Sequence, residues 1–302
     1  MPRVSVLMPA YNVEKYVGEA IESILNQTYK DFEFIIINDG STDNTANIIQ
    51  EYAKKDKRIK FINNKKNQGL ITVLNQGLDL CKGEFIARMD SDDISLPERF
   101  AKQIKYMDEH PECGVCGTFA YHFFVSGKKG WIWKQPENVL ICDLLKRNPM
   151  IHPTVFIRKQ VIDNFGIKYN KEYKHAEDYG LWLDLIHYTQ IHNIPEVLLN
   201  YRVHDTNIGV LYNAEQYENA VKIQTRIRAS ITTDPNFDKI LQNYHQDIIE
   251  RFYLFGFISI IRIKRYGEFC KTKYYIFNKI PLITVKSGKV YLFEIIKIGV
   301  TK

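Results

Sequence analysis

Short apolar runs alternate with amphipathic stretches through the first ninety or so residues. Val4-Ser-Val-Leu-Met8 reads as a buried strand, broken by Pro9-Ala-Tyr-Asn12. From Val13 to Gln27 the apolar positions Val13, Tyr16, Val17, Ala20, Ile21, Ile24 and Leu25 recur at helical spacing. Phe32-Glu-Phe-Ile-Ile-Ile37 is close to continuously apolar, as a parallel strand covered on both faces should be. The turn Asn38-Asp-Gly-Ser-Thr-Asp43 follows, with Ser41 or Thr42 expected to cap a helix over roughly 45–54. A strand at 59–62, a helix from the Asn67-Gln-Gly69 turn to about Leu80, and a strand at 84–89 complete a β-α-β-α-β-α-β pattern. This alternation predicts a parallel sheet with right-handed crossovers and a ligand crevice beyond the carboxyl ends of its strands. Residues 9–12, 38–43 and 90–93 all fall at those ends, so three turns distant in sequence are expected to converge.

Further along, the pattern predicts a helix to about Glu109, a strand at 117–124, a turn at Lys128-Lys-Gly130 and a short helix near 139–147. A strand at 152–157, a helix at 176–187 that begins on acids, a strand at 197–204 and a helix over about 213–230 follow. Composition shifts near Thr232-Thr-Asp-Pro235, which divides the chain into a main domain, 1–235, and an extension, 236–302, expected to be mainly helical.

Two acidic groups carry the candidate chemistry. Asp90-Ser91-Asp92-Asp93 closes the strand at 84–89. Carboxylates gathered at a strand mouth repel one another, and a divalent cation with a preference for oxygen ligands would offset that; a solvated turn is the plainer alternative. Glu177-Asp178 opens a helix beside Trp182. Acids at a helix start interact well with its dipole, and a carboxylate in a partly dry pocket can also act as a general base. Cys113-Gly-Val-Cys116 has redox or zinc spacing, but no second ligand pair accompanies it, so buried thiols are expected. Trp131 and Trp133, two apart on one face of a strand, are expected to pack in the core, with an acceptor-sugar platform the alternative, and His152 and His175 to sit in loops.

The composition is that of a globular protein, with 45% apolar and 25% charged residues in 302. Five scattered cysteines, too short an apolar run for a leader and none long enough to span a bilayer lead to the expectation of a cytoplasmic protein. The net charge of +6 is uneven: residues 251–302 carry 11 Lys or Arg against 2 Asp or Glu, and residues 1–250 carry 30 against 33. The basic tail lacks a nucleic-acid motif, so no nucleic-acid partner is expected. Its aromatic and apolar character suits peripheral contact with the inner face of an anionic membrane, or packing on the main domain.

Taken in order, these motifs resemble an inverting family 2 glycosyltransferase of GT-A fold. The resemblance rests on Val4-Ser-Val-Leu-Met-Pro-Ala-Tyr-Asn12, Ile35-Ile-Ile-Asn-Asp-Gly-Ser-Thr-Asp43, Asn67-Gln-Gly69 with Asn75-Gln-Gly77, Arg88-Met-Asp-Ser-Asp-Asp93, Ala176-Glu-Asp-Tyr-Gly-Leu-Trp182 and Tyr201-Arg-Val-His204. It implies an α/β domain over 1–235 with a Rossmann-like, mostly parallel central sheet flanked by helices. It implies a nucleotide-sugar donor, a UDP-sugar foremost, bound by Pro9, Ala10, Tyr11, Asp39, Arg88, Asp90 and Ser91. Mn2+ or Mg2+ would sit on Asp92 and His204, with Asp178 the general base and Glu177 beside it. The acceptor would be a glycan or lipid-linked hydroxyl of a bacterial surface polysaccharide, such as lipopolysaccharide or capsule. Two departures stand out: Asp205-Thr-Asn-Ile-Gly209 replaces the serines usual after the histidine, and Val73-Leu74 stand where an arginine is common. A metal-dependent nucleotidyltransferase is the alternative enzyme class, although it would need a Gly- and Lys/Arg-rich phosphate loop after the first strand.

Overall fold

The computed structural model describes residues 1–232 and, beyond them, strand segments between 249 and 298. Two compact units divide the chain, 1–228 and 229–302.

The first unit is built on a ten-stranded mixed sheet. β1 (Val4–Ala10), α1 (Val17–Leu25), β2 (Phe32–Asp39), α2 (Thr45–Lys55), β3 (Ile59–Asn64), α3 (Leu70–Leu80) and β4 (Phe85–Arg88) follow the expected alternation. They pair in parallel in the spatial order β3-β2-β1-β4. Every residue of β1 and β2 is buried, which explains why neither shows a polar alternation. The two faces of the sheet still sort by parity. Val4, Val6 and Met8 join Phe34, Ile36 and the α1 residues Ile21 and Ile24 in one core cluster. Leu7 points the other way, to Gly77 of α3, where an added Cβ would come within 2.1 Å of its Cδ1. The second Asn-Gln-Gly motif therefore owes its glycine to close helix–sheet packing.

Next come β5 (Ile94–Ser95), α4 (Arg99–Glu109), β6 (Cys113–Phe124), β7 (Trp131–Trp133), β8 (Asn138–Val139), α5 (Ile141–Lys146), β9 (Phe156–Arg158), α6 (Lys159–Phe165), α7 (Glu177–Leu185) and β10 (Gln190–Val203). β9 runs antiparallel between β4 and β6, and β10 runs parallel to β6. α8 (Ile208–Leu211) and the long α9 (Asn213–Thr232) follow. Cys113 and Cys116 lie buried inside β6, and burial pushes the Cys113 thiol up to about 12, as inert structural thiols require. Trp131 departs from expectation: it is exposed, tilted against the His122 ring, while Trp133 meets that ring edge-on.

The helical part of the C-terminal region is α9. From 249 onward the described segments are strands instead of the expected helices. They are Ile249–Leu254, Ile258–Tyr266, Lys271–Ile276, Ile280–Lys286, Lys289–Leu292 and Ile296–Ile298 (β11 to β16), paired antiparallel in sequential order. The reason is visible in Ile258-Ser-Ile-Ile-Arg-Ile-Lys-Arg-Tyr266 and Ile280-Pro-Leu-Ile-Thr-Val-Lys286, where β-branched residues dominate. Such residues lose side-chain freedom in a helix and fit a pleated surface. Among the described residues no helix is long and apolar enough to cross a membrane.

Candidate active site

The acidic turn begins directly beyond β4. Asp90, Asp92 and Asp93 can place one carboxylate oxygen each within 4.8 Å of the others. Cations and donors from three elements hold them there. Arg88 pairs with Asp90. Arg202 of β10 donates its backbone N–H to Asp93 Oδ1 (2.8 Å) and its Nε–H to the Asp92 carbonyl (2.6 Å), and pairs with Glu19 of α1. His204 Nε2 lies 2.9 Å from Asp92 Oδ2, and Asn207 Nδ2 donates to the same oxygen at 3.3 Å. Asn207 Oδ1 accepts the His204 backbone N–H at 2.6 Å, and Tyr16 stacks on the imidazole with ring centroids 4.8 Å apart.

Burial raises the Asp93 carboxyl well above its ordinary value, and the charges of Asp92 and Asp90 raise it further. Asp90 is raised too, by burial first; Arg88 opposes this while Asp92 adds to it. Asp93 Oδ2 is buried and accepts no hydrogen bond. A hard divalent cation suits this set: all three ligands are oxygens, their mutual repulsion calls for positive charge, and one buried oxygen lacks a donor.

The second acidic pair opens α7. Asp178 Oδ2 accepts from Asn148 Nδ2 at 2.6 Å and Oδ1 accepts from the Tyr179 backbone N–H at 2.7 Å. Burial lifts the Asp178 carboxyl above its ordinary range, and the Asn148 amide is the largest opposing influence. Glu177 is pushed up to about 7, by burial first and then by the Asp178 charge. Because the folded state keeps the Glu177 proton longer than the unfolded chain does, its contribution is fully present below about 4.5 and is lost as pH rises toward 7. The loss is on the order of 3 kcal/mol. Thermal melts are expected to show stability falling across this window, with a shallower fall in Glu177→Gln.

The two acidic groups face a common space. Arg88, Asp90, Glu177 and Asp178 line one cavity of about 580 Å³, together with Asn148, His152 and Tyr201. The Asp178 charge is among the influences that raise Asp90. His204 lines a neighbouring cavity of about 600 Å³ with Asn12, Tyr16 and Asp43.

The turn at 9–12 meets the turn at 38–43. Asn12 donates its backbone N–H to Ser41 Oγ at 3.0 Å, and its side-chain oxygen accepts the Thr42 N–H at 2.9 Å. Pro9 and Ala10 are buried at the end of β1, and Tyr11 beyond them is exposed. Asp39, buried at the end of β2, accepts the Gln68 and Gly69 N–H groups on its two oxygens, each at 2.9 Å, so it fixes the third loop as well. Gly40 turns the chain with φ 69°, and a Cβ there would lie 2.5 Å from the Lys66 carbonyl carbon. Ser91 is buried in the acidic turn. Neither cavity is lined by Pro9, Ala10, Tyr11, Asp39 or Ser91.

Four contributors have contacts that the sequence did not signal. Asn148, Arg202 and Asn207 act through contacts that span 30, 109 to 183 and 115 residues. His152, expected in a loop, sits in a single 3-10 turn and shares a 2.9 Å hydrogen bond with the Tyr169 hydroxyl. Burial holds its pKa well below the ordinary value, so the ring is neutral. His175 is likewise anchored, stacked on Tyr212 with centroids 4.1 Å apart and 3.3 Å from Glu215.

Comparison with known proteins identifies the class. Residues 5–166, more than half of the chain, match the model of glycosyl transferase family 2. A glycosyltransferase of Haemophilus influenzae is 40% identical over 240 residues, covering 74% of this chain and 72% of its own length. The O-antigen biosynthesis glycosyltransferase WbnJ of Escherichia coli is 34% identical over 255 residues, covering 82% of this chain and 97% of its own. The structure of Staphylococcus aureus TarS residues 1–349 in complex with UDP-GlcNAc superposes with a TM-score of 0.65 at 23% identity, over 81% of this chain and 72% of that one. The chain belongs to glycosyl transferase family 2 and has the GT-A fold. It is a glycosyltransferase, and the nucleotidyltransferase alternative is set aside.

Proposed function

We propose that the protein is an inverting transferase that moves a sugar from a nucleotide-sugar, a UDP-sugar foremost, to a hydroxyl of a glycan or lipid-linked acceptor in bacterial surface-polysaccharide synthesis. The observation that carries this reading is the shared cavity of Asp90 and Asp178, which places an acid of the metal and nucleotide turn and an acid of α7 before one space.

The roles divide by environment. Asp92, with His204 beside it, would hold Mn2+ or Mg2+, whose charge offsets that building on the diphosphate when it is bound. Arg88, buried and paired with Asp90, keeps that carboxylate aimed at the nucleotide. Pro9, Ala10, Tyr11, Asp39 and Ser91 form the nucleotide side. Asp178 accepts the proton of the acceptor hydroxyl as its oxygen bonds to C1 of the sugar. The C1–O bond to the diphosphate breaks with its electron pair leaving on the diphosphate. A single displacement with a single base inverts the anomeric centre. A raised pKa makes Asp178 a better proton acceptor than an exposed aspartate.

Asn148 holds the base. Its removal should raise the Asp178 pKa, since the Asn148 amide lowers it. Asn148→Ala is therefore expected to move the acidic limb of kcat against pH upward and to reduce kcat by about tenfold. A pH–rate profile checks this. The function itself is tested by incubating the protein with a panel of nucleotide-sugars, Mn2+ and candidate acceptors and reading the product anomer by NMR. Transfer with inversion is the expected result, and retention or donor hydrolysis alone would reject the reading.

A further inference from the structure

The cavity shared by Asp90 and Asp178 has an aromatic side. Trp133 of β7 and Tyr201 of β10 line it, their rings set at 88° with centroids 6.0 Å apart, so the two form a corner. Strand register explains the placement. Tyr201 pairs with His122 of β6, and His122 with Trp131 of β7; residues directly opposite in a ladder share a face of the sheet. His122 stacks on Tyr201 at 4.7 Å, lies 4.8 Å from the Trp131 ring and meets Trp133 edge-on at 4.7 Å. A row of rings therefore runs from the cavity wall out to Trp131, which is 49% exposed. Both His122 ring nitrogens are buried and make no hydrogen bond, and burial lowers its pKa to about 4, so the row carries no charge at neutral pH.

Packing alone does not account for this row. Core rings are enclosed, whereas Trp133 and Tyr201 are only half-buried and border the cavity, and Trp131 is open to solvent. A pyranose matches such a surface. One of its faces presents C–H groups made slightly positive by neighbouring oxygens, which meet the negative face of an aromatic ring, while its hydroxyls leave at the edge. Asn148, Glu177 and Asp178 line the same cavity and supply polar partners for that edge. A hydrocarbon chain would also gain from the rings, but it would leave those polar groups without partners. We propose that Trp133 and Tyr201 form a stacking subsite for the acceptor's terminal sugar, with Trp131 receiving the sugar before it, so that the acceptor hydroxyl belongs to a glycan. The subsite deepens the proposed transfer and rests on it for which group reacts; what the corner binds does not depend on it.

Saturation-transfer NMR on the full chain, with UDP and Mn2+ present, tests the proposal. The probes are the methyl glycosides of glucose, galactose, mannose, N-acetylglucosamine and N-acetylgalactosamine, the disaccharides cellobiose, lactose, mannobiose and chitobiose, and dodecyl phosphate. At least one methyl glycoside should take up saturation on the C–H protons of one face, and a disaccharide ending in that sugar should bind more tightly. Trp133→Leu fills the space without a ring and should weaken that glycoside by at least about tenfold, whereas Trp133→Phe should hold it within about threefold. Trp131→Ala, at an exposed position, should weaken the disaccharide and leave the methyl glycoside unchanged. UDP affinity should stay the same in all three variants. Equal glycoside affinity in Trp133→Leu and wild type would overturn the subsite, and equal disaccharide affinity in Trp131→Ala and wild type would overturn its outer position. Saturation of dodecyl phosphate and of no glycoside would give the corner to a lipid chain, and binding of no probe would leave it without a ligand; either result overturns the proposal. Should Trp133→Leu lose UDP along with the glycosides, its fold is disturbed and the Trp131→Ala comparison decides. Failure to bind UDP in the wild type would count against the proposed transfer and leave the glycoside result to stand.

Discussion

Asp178→Asn is expected to reduce turnover by about 10²–10⁴-fold with little change in nucleotide-sugar affinity. In the proposed mechanism the side chain faces the acceptor from the cavity that it lines with Asp90, apart from the proposed nucleotide contacts, so its loss should fall on kcat. Both of its oxygens accept hydrogen bonds, from Asn148 and from the Tyr179 N–H. An amide at 178 can satisfy only one of these donors, and the remaining donor–donor encounter should cost about 1–3 kcal/mol. A companion swap separates the two consequences. In Asp178→Asn with Asn148→Asp, the carboxylate and amide exchange places, so the hydrogen bond and the melting temperature should recover. The turnover should not, because the base would then sit on the loop before β9. Donor affinity by titration calorimetry and turnover by product formation read the two effects independently.

Asp92→Ala is expected to abolish the Mn2+-dependent part of nucleotide affinity, a loss of about 100-fold or more, since changes to outer partners alone cost about 10–100-fold at metal sites. Stability should move in the opposite direction. The Asp92 charge pushes Asp90 and Asp93 up, so its removal relieves two strained neighbours. A melting temperature equal to or above that of the wild type, with metal-dependent UDP binding gone, is the combined outcome. Calorimetric titration of UDP with and without Mn2+, beside thermal melts, measures both. Asn207→Ala, which frees Asp92 and the His204 backbone without removing a carboxylate, should give the intermediate loss of about 10–100-fold.

The parts of this site that were legible in the sequence share one property: each lies where a strong local pattern ends. Asp39 and Asp90 follow apolar runs that could only be strands, and Glu177-Asp178 precedes a helical one. Strand order then brings such ends to one side of a parallel sheet. Asn148 had no such marker. It lies in Arg147-Asn-Pro149, an unremarkable pre-proline turn, and gains its role only because α7 approaches from later in the chain. Arg202 appeared within a motif, but nothing local indicated that it would brace Asp92, Asp93 and Glu19 together. The strands from 249 onward are less legible for a different reason: mixed aromatic and basic residues fit an amphipathic surface of either kind, and only the β-branched content distinguishes strand from helix.

A structure determined with UDP and Mn2+, located by its anomalous scattering, tests the central claim most directly. The account predicts the manganese peak against Asp92, with the diphosphate leading into the cavity that Asp178 lines. A peak elsewhere, or a nucleotide whose diphosphate points away from Asp178, would contradict it.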